Sequence, residues 1–207
     1  MSDSKTESKK IETKPVIRLL VGLGNPGPSY SATRHNAGEW LVEEFCRRSR
    51  IPLKTEAKFN ARFAQTAING QEVKIIISNT FMNHSGRAVG SIAKYFQIAV
   101  QNILVAHDEL DLPPGTIRFK TDGGHGGHNG LKDIIHHLHS REFHRLRIGI
   151  GHPGHKDHVV DYVLNRPSSE EEKKIRLSID EGIEVLPLII AGDFEKAMNR
   201  LHTEKTI

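Results

Sequence analysis

A single cysteine, Cys46, stands among 207 residues. One thiol cannot close an internal disulfide, so the fold carries no covalent staple of that kind, which suits a reducing cytoplasm. No apolar run approaches the roughly 20 residues that a membrane-spanning helix needs, and the first residues show no secretory leader pattern. The serine-hydrolase elbow G-x-S-x-G is missing, and so is the zinc-protease pattern H-E-x-x-H. There is no internal repeat and no linker-like stretch that would split the chain. Charge of one sign is also in short supply. The formal net charge is +4, a mild basic bias that is compatible with an anionic partner and does not name one. With 37% hydrophobic and 26% charged residues, the composition is that of a globular domain with a full core.

Glycine, by contrast, is concentrated in one place. Asp122 to Gly130 reads Asp-Gly-Gly-His-Gly-Gly-His-Asn-Gly, five glycines in nine residues, so the backbone itself is expected to be the working surface. A helical pattern starts immediately afterwards, at Leu131. A glycine loop running into a helix start presents unpaired N–H groups and a positive dipole end, suited to a phosphate or a developing oxyanion. A plain surface turn rarely holds two histidines and an asparagine among its glycines.

Around that loop the periodicities predict strands and helices in alternation. Val16 to Val21 is a short apolar run, expected as a buried strand. It leads into Gly22-Leu23-Gly24-Asn25-Pro26-Gly27, a formal match to the dinucleotide fingerprint G-x-G-x-x-G. Pro26 and Pro28 stand where that motif's helix should open, and no acidic strand end follows at the required distance. A nucleotide-binding oxidoreductase is therefore the weaker reading, and a non-catalytic RNA-binding module rests on charge alone. Asn36 is placed to cap a helix running to about Arg50. Asn69-Gly70 predicts a hairpin between strands at 62–68 and 72–78. Further strands are expected at 103–106, 116–120 and 144–151, and helices at 86–96, 131–139 and 159–164. Ser168 caps a long helix that Pro187 is expected to kink or end, and Asp193 caps a last one. Residues 1–15 are polar and aperiodic, expected as a disordered tail before one catalytic domain spanning 16–207. The predicted architecture is α/β, a single domain with a mixed sheet flanked by helices in an α/β/α sandwich.

Three apolar strands deliver polar clusters carrying Asn25, Asn83 and Asp108. If those strands run side by side in parallel, all three residues face one crevice outside the strands' carboxyl ends. His35 and Asn129 can reach it from neighbouring loops. Carboxamides carry donors and acceptors and do not titrate. A histidine whose other nitrogen is held by a carboxylate is a general base usable near neutral pH. The set fits direct attack of water on an activated ester, with no covalent intermediate. His125 and His128, and separately His152, His155 and His158, have spacings that invite zinc. The intervening glycines and proline offer no helix to hold ligands, and no cysteine joins them, so metal binding is not expected. Cys46 has no histidine near it in sequence and reads as a small residue on a helix.

The motifs Val-Gly-Leu-Gly-Asn-Pro-Gly from Val21, Thr-Arg-His-Asn-Ala-Gly from Thr33, Thr-Phe-Met-Asn from Thr80, His-Asp-Glu-Leu-Asp-Leu-Pro-Pro-Gly from His107, Gly-Gly-His-Gly-Gly-His-Asn-Gly from Gly123 and Arg-Leu-Arg-Ile-Gly-Ile-Gly-His-Pro-Gly from Arg145 occur in this order. The sequence resembles the bacterial-type peptidyl-tRNA hydrolases over Ile17 to about His202. That resemblance implies a cytoplasmic, monomeric, cofactor-free and metal-free esterase that needs no membrane. It would cut the ester between a peptide and the 3′ end of tRNA, recycling tRNA from stalled translation. It implies His35 as catalytic base, Asp108 as the supporting carboxylate and Asn25 as the group sensing the blocked amino end. It places Tyr30, Phe81, Asn83 and Asn129 against the peptidyl-adenosine end. Lys120 and Arg147 match a clamp for a tRNA phosphate, with Arg118 and Lys156 nearby. His84 stands where an aliphatic residue is common in the family, a departure that would bear on the pocket wall and leaves the role of Asn83 intact.

Overall fold

The structure, a computed structural model, describes residues 15–202. The expected tail therefore lies, apart from Pro15, outside the described residues. Among the described residues seven strands form one sheet: β1 (Leu19–Gly22), β2 (Lys54–Glu56), β3 (Ala61–Ile68), β4 (Gln71–Ser78), β5 (Ile103–Glu109), β6 (Ile117–Thr121) and β7 (His144–Gly149). Their spatial order is β2-β3-β4-β1-β5-β7-β6. Strand β1 is parallel to both β4 and β5, and β5 is parallel to β7. The β2–β3, β3–β4 and β6–β7 pairs are antiparallel. This is the expected mixed sheet, with Asn25, Asn83 and Asp108 at the carboxyl ends of three adjacent parallel strands.

The helices are α1 (Ala37–Arg48), α2 (Ser85–Tyr95), α3 (Asn129–Leu138), α4 (Val159–Leu164), α5 (Ser169–Ile190) and α6 (Phe194–His202). Alternation along β1 explains why both faces of the sheet are covered. Leu20 points into one core with Leu41, Ile183 and Ala197, while Leu19 and Val21 point into the other with Val89, Ile92 and Ile134. Helices α1, α5 and α6 thus lie on one face and α2 and α3 on the other, the three layers expected from the sequence.

Local chemistry sets the details. Asn69 and Gly70 both adopt positive φ, 50° and 80°, between paired residues Ile68 and Gln71. That is the two-residue turn whose twist matches a hairpin. Ser168 and Glu171 form a reciprocal capping box at the start of α5. Pro187 does not end α5, which continues to Ile190. By Pro187 the helix is packed along one side through Ile179, Ile183, Leu186 and Ile190, and that burial outweighs one lost backbone bond. At Gly38 a methyl group would overlap the carbonyl oxygen of Ala106 on β5. Helix α1 therefore rests on β5 with no side chain between them at that point.

Candidate active site

A cleft of about 740 Å³ opens at the carboxyl ends of β1, β4 and β5. His35 lies in a 3₁₀ turn (Arg34–Asn36) just before α1. Arg34 anchors that turn. Its guanidinium donates to the carbonyls of Tyr162, Asn165 and Arg166, pairs with Glu171 at 2.9 Å and stacks on the Tyr162 ring. The neighbouring His35 is thereby held from the α4–α5 side while Gly38 fixes it from the β5 side.

The sequence places His107, Asp108 and Glu109 after a strand; the structure extends β5 through Glu109. Asp108 is therefore aimed by strand geometry and is almost wholly buried. His35 Nδ1 lies 2.9 Å from both of its oxygens. His128 Nε2 lies 2.9 Å from Asp108 Oδ1, and its Nδ1 accepts from the N–H groups of Gly130 and Leu131 at 3.1 and 3.3 Å. Those partners settle both tautomers. His128 carries its proton on Nε2 and donates to Asp108. His35 carries its proton on Nδ1, which leaves Nε2 with a free lone pair on the cleft side. Burial works against the His35 imidazolium, but the Asp108 charge and hydrogen bond outweigh it, and its pKa is raised above the ordinary value. Burial also works against the Asp108 carboxylate. The two imidazoles overcome that and hold its pKa well below the usual range.

The third imidazole, His107, behaves differently. Its Nδ1 donates to the Asp108 carbonyl at 2.6 Å, and its ring meets His128 edge-on at 5.2 Å. Full burial, with His128 adding to it, pushes its pKa down to about 3. It is neutral across the physiological range, and its buried Nε2 has no hydrogen-bond partner among the described residues.

Asn25 is buried and locked. Its N–H donates to Asn36 Oδ1 at 2.9 Å, its carbonyl accepts from Asn36 Nδ2 at 2.9 Å, and its own Oδ1 accepts from the Met82 N–H at 2.7 Å. With its oxygen held against the Met82 N–H, the carboxamide is oriented, and its NH₂ is the donor it has left to offer a ligand in the cleft. Asn36 stands at the cap position of α1 but makes no capping bond, so the expected N-cap is corrected to a brace for Asn25. Asn83 and Asn129 line the cleft with exposed side chains. Phe81 is exposed and meets the Tyr30 ring edge-on at 6.0 Å. With Val159, Val160, Val163 and Leu164 of α4 these rings make the apolar side of the cleft.

The glycine loop differs from its expectation. The N–H groups of Gly127, Gly130 and Leu131 are taken by His125 and His128 side chains, and that of Gly123 by Asp122. The helix start is thus largely satisfied by its own histidines and is not the open anion site the glycines suggested. The loop residue that reaches the Asp108 carboxylate is His128, which the sequence reading weighed only as part of the loop or as a metal ligand. The signal that could have found it was its position as cap of α3, opposite an acidic strand end.

Of the four basic residues singled out, Lys156 lines the cleft. Arg118, Lys120 and Arg147 lie apart from it, on the β6–β7 pair, where Arg118 is opposite Arg147 and Lys120 opposite Arg145. Arg118 donates to the Leu201 carbonyl at 2.8 Å, and Arg147 pairs with Glu109 at 2.8 Å. Lys120 is exposed. Cys46 is a core side chain whose thiol burial pushes to about 12, so it is no nucleophile. His35, Asp108 and His128 bring three potential metal donors within 4.8 Å of one another. Their facing atoms are engaged in two 2.9 Å hydrogen bonds to one carboxylate, an arrangement that shares protons. None of the described helices is long and apolar enough to cross a membrane.

The family model described as peptidyl-tRNA hydrolase matches residues 19–207 of the chain. A peptidyl-tRNA hydrolase of Vibrio vulnificus (strain YJ016) is 54% identical, over 91% of this chain and 97% of that protein. One from Haemophilus influenzae (strain ATCC 51907 / DSM 11121 / KW20 / Rd) is 52% identical, over 91% and 98%. Among solved structures, the crystal structure of peptidyl-tRNA hydrolase from Acinetobacter baumannii superposes with a TM-score of 0.90 at 46% identity, covering 94% of this chain and 98% of that one.

Proposed function

Because the chain belongs to the peptidyl-tRNA hydrolase family and hydrolyses peptidyl-tRNA, we propose that His35 is the general base of that hydrolysis and Asp108 its support. The observation that carries this reading is the His35 tautomer: Nδ1–H is held at 2.9 Å by Asp108, which leaves Nε2 as the one basic atom of the ring on the cleft side. A water beside Nε2 loses its proton to the ring as its oxygen attacks the ester carbonyl. The imidazolium that forms is stabilised by the adjacent carboxylate. The same proton then goes to the departing ribose oxygen, giving a free peptide acid and a free tRNA 3′ end. His128 donates a second N–H to Asp108 and keeps the carboxylate oriented. Asn83 and Asn129 supply carboxamide hydrogen bonds to the developing oxyanion and the attacking water.

Asn25 sets the preference for a blocked amino end. Its NH₂ donates to the carbonyl oxygen of the preceding peptide unit, while its oxygen is turned to the Met82 N–H and away from a free ammonium group. Tyr30 and Phe81 pack against the peptidyl-adenosine end. Arg118, Lys120, Arg147 and Lys156 bind the tRNA backbone, with exposed Lys120 making the principal phosphate contact. The enzyme works as a cytoplasmic monomer, without metal, cofactor or membrane, and returns tRNA from stalled ribosomes to translation.

The test is a gel assay of N-acetyl-aminoacyl-tRNA beside unblocked aminoacyl-tRNA. The enzyme is expected to cleave only the former. The His35→Ala variant is expected to bind both while cleaving neither at an appreciable rate, and near-normal turnover by it would reject His35 as the base.

A further inference from the structure

Asn25 is braced by Asn36, and Asn36 is itself held from behind. Its Nδ2 donates to Glu39 Oε2 at 2.8 Å, while Glu39 Oε1 accepts from Arg62 Nη2 at 2.5 Å. Arg62 reaches down from β3 and also pairs with Glu43 at 2.6 Å. The contact is closed by Gly24, the residue before Asn25: a methyl group there would overlap the Glu39 carboxylate. A chain of hydrogen bonds therefore runs from Arg62 near the surface, through Glu39 and Asn36, to both backbone polar groups of Asn25 in the cleft.

We propose that Glu39 is a positioning residue for the hydrolysis, holding the Asn36 amide so that Asn25 presents its NH₂ to the substrate. The proposal rests on the reading of Asn25 as a substrate-facing donor. An acidic residue in the first turn of α1 would be favourable to the helix dipole wherever it pointed. That alone does not account for a side chain turned sideways into Asn36 and Arg62, with only 16% of its surface exposed.

The charged groups facing Glu39 are Arg62 from β3 and Glu43 from its own helix. Burial raises the carboxyl to about 7, against Arg62, which lowers it; Glu43 adds to the rise and the Asn36 hydrogen bond opposes it. Protonation near neutral pH removes the charge that pairs with Arg62 and weakens the acceptor that holds Asn36. Acidification therefore slackens the hold on Asn25 while Glu39 stays buried, a local change opposite in sign to its effect on the stability of the whole fold, and in the same direction in which it disables the His35 base.

The test measures kcat/KM on N-acetyl-aminoacyl-tRNA from about pH 5 to about pH 9 for the wild type, Glu39→Gln and Glu39→Leu, with Asn25→Ala as reference. The wild-type acid limb is expected to be steeper than one proton. Glu39→Gln, which keeps an acceptor for Asn36 and cannot titrate, is expected to reduce that limb to a single proton. Glu39→Leu is expected to lower kcat/KM about tenfold at alkaline pH and to speed hydrogen exchange of the Asn25 amide with no matching loss of melting temperature. If Asn25→Ala is impaired while both Glu39 variants keep the wild-type limb and a kcat/KM within about twofold, the proposal is overturned and the reading of Asn25 survives. Normal turnover by Asn25→Ala overturns that reading and this proposal with it.

Discussion

The floor of the cleft and the β6–β7 edge of the sheet are both rich in polar side chains, and they are built in opposite ways. On the floor, His35, Asp108, His128, Asn25 and Asn36 are buried or nearly so, and each is held by a named partner at 2.7–3.3 Å. At the edge, Lys120 is exposed, while Arg118 and Arg147 are partly buried and tethered to the Leu201 carbonyl and Glu109. A buried polar group is costly unless its partners are in place, so the floor tolerates few alternatives. Exposed cations act through a screened field in which each is one contributor among several. On the proposed reading, the floor is where bond making is controlled and the edge is where a long anion is gathered in.

That contrast breaks first at His35. Replacing it with alanine should lower kcat by about 10²–10⁴ with tRNA affinity retained, measured by single-turnover cleavage alongside a binding titration. Asp108→Asn comes next, with a loss in kcat of about 10². It carries a second signature, because the raised His35 pKa depends on the Asp108 charge. The base is active when neutral, so activity is lost as pH falls through that pKa. Without the charge, burial dominates, and the midpoint of the acid limb should move to lower pH in a kcat profile. An upward move would show that Asp108 does not set the His35 charge.

The edge should respond in KM. Lys120→Ala is expected to raise KM for full-length substrate several-fold and to reduce the salt slope of binding by about one, leaving kcat alone; a loss in kcat would merge the two regions. The smallest effect concerns stability. The folded-state pKa of Glu39, about 7, lies above its ordinary value of 4.5. The folded protein therefore holds more protons than the unfolded chain between those values. Its stabilising contribution is fully present below the lower value and lost as pH rises through the upper one. Thermal denaturation should show Glu39→Gln flattening that decline, by about 2–4 °C in melting temperature.

How much of this was legible in the sequence follows from range. The hairpin at Asn69-Gly70, the helix cap at Ser168 and the strand-end placement of Asn25, Asn83 and Asp108 are local or repeat with the period of a strand, and they were readable. The dyad needed the additional premise that β1, β4 and β5 are neighbours, and the match of motifs to a known family supplied it. His128 and Asn36 were misjudged because their roles are set across the fold. His128 spans 20 residues to Asp108, and Asn36 turns back 11 residues to Asn25 instead of capping its own helix. The glycine loop misled for a related reason. Glycine shows where backbone is exposed, but it does not show that neighbouring imidazoles have already claimed the amides.

The contact between Gly38 and Ala106 has a practical consequence for anyone wishing to transplant this chemistry. Since main chain meets main chain there, the separation of imidazole and carboxylate is a property of the scaffold's spacing more than of two rotamers. Copying the two side chains into a sheet whose helix stands one methyl further away would give a pair with the right identities and the wrong reach. The minimal portable unit is a strand, the turn before its covering helix, and the bare patch where they touch.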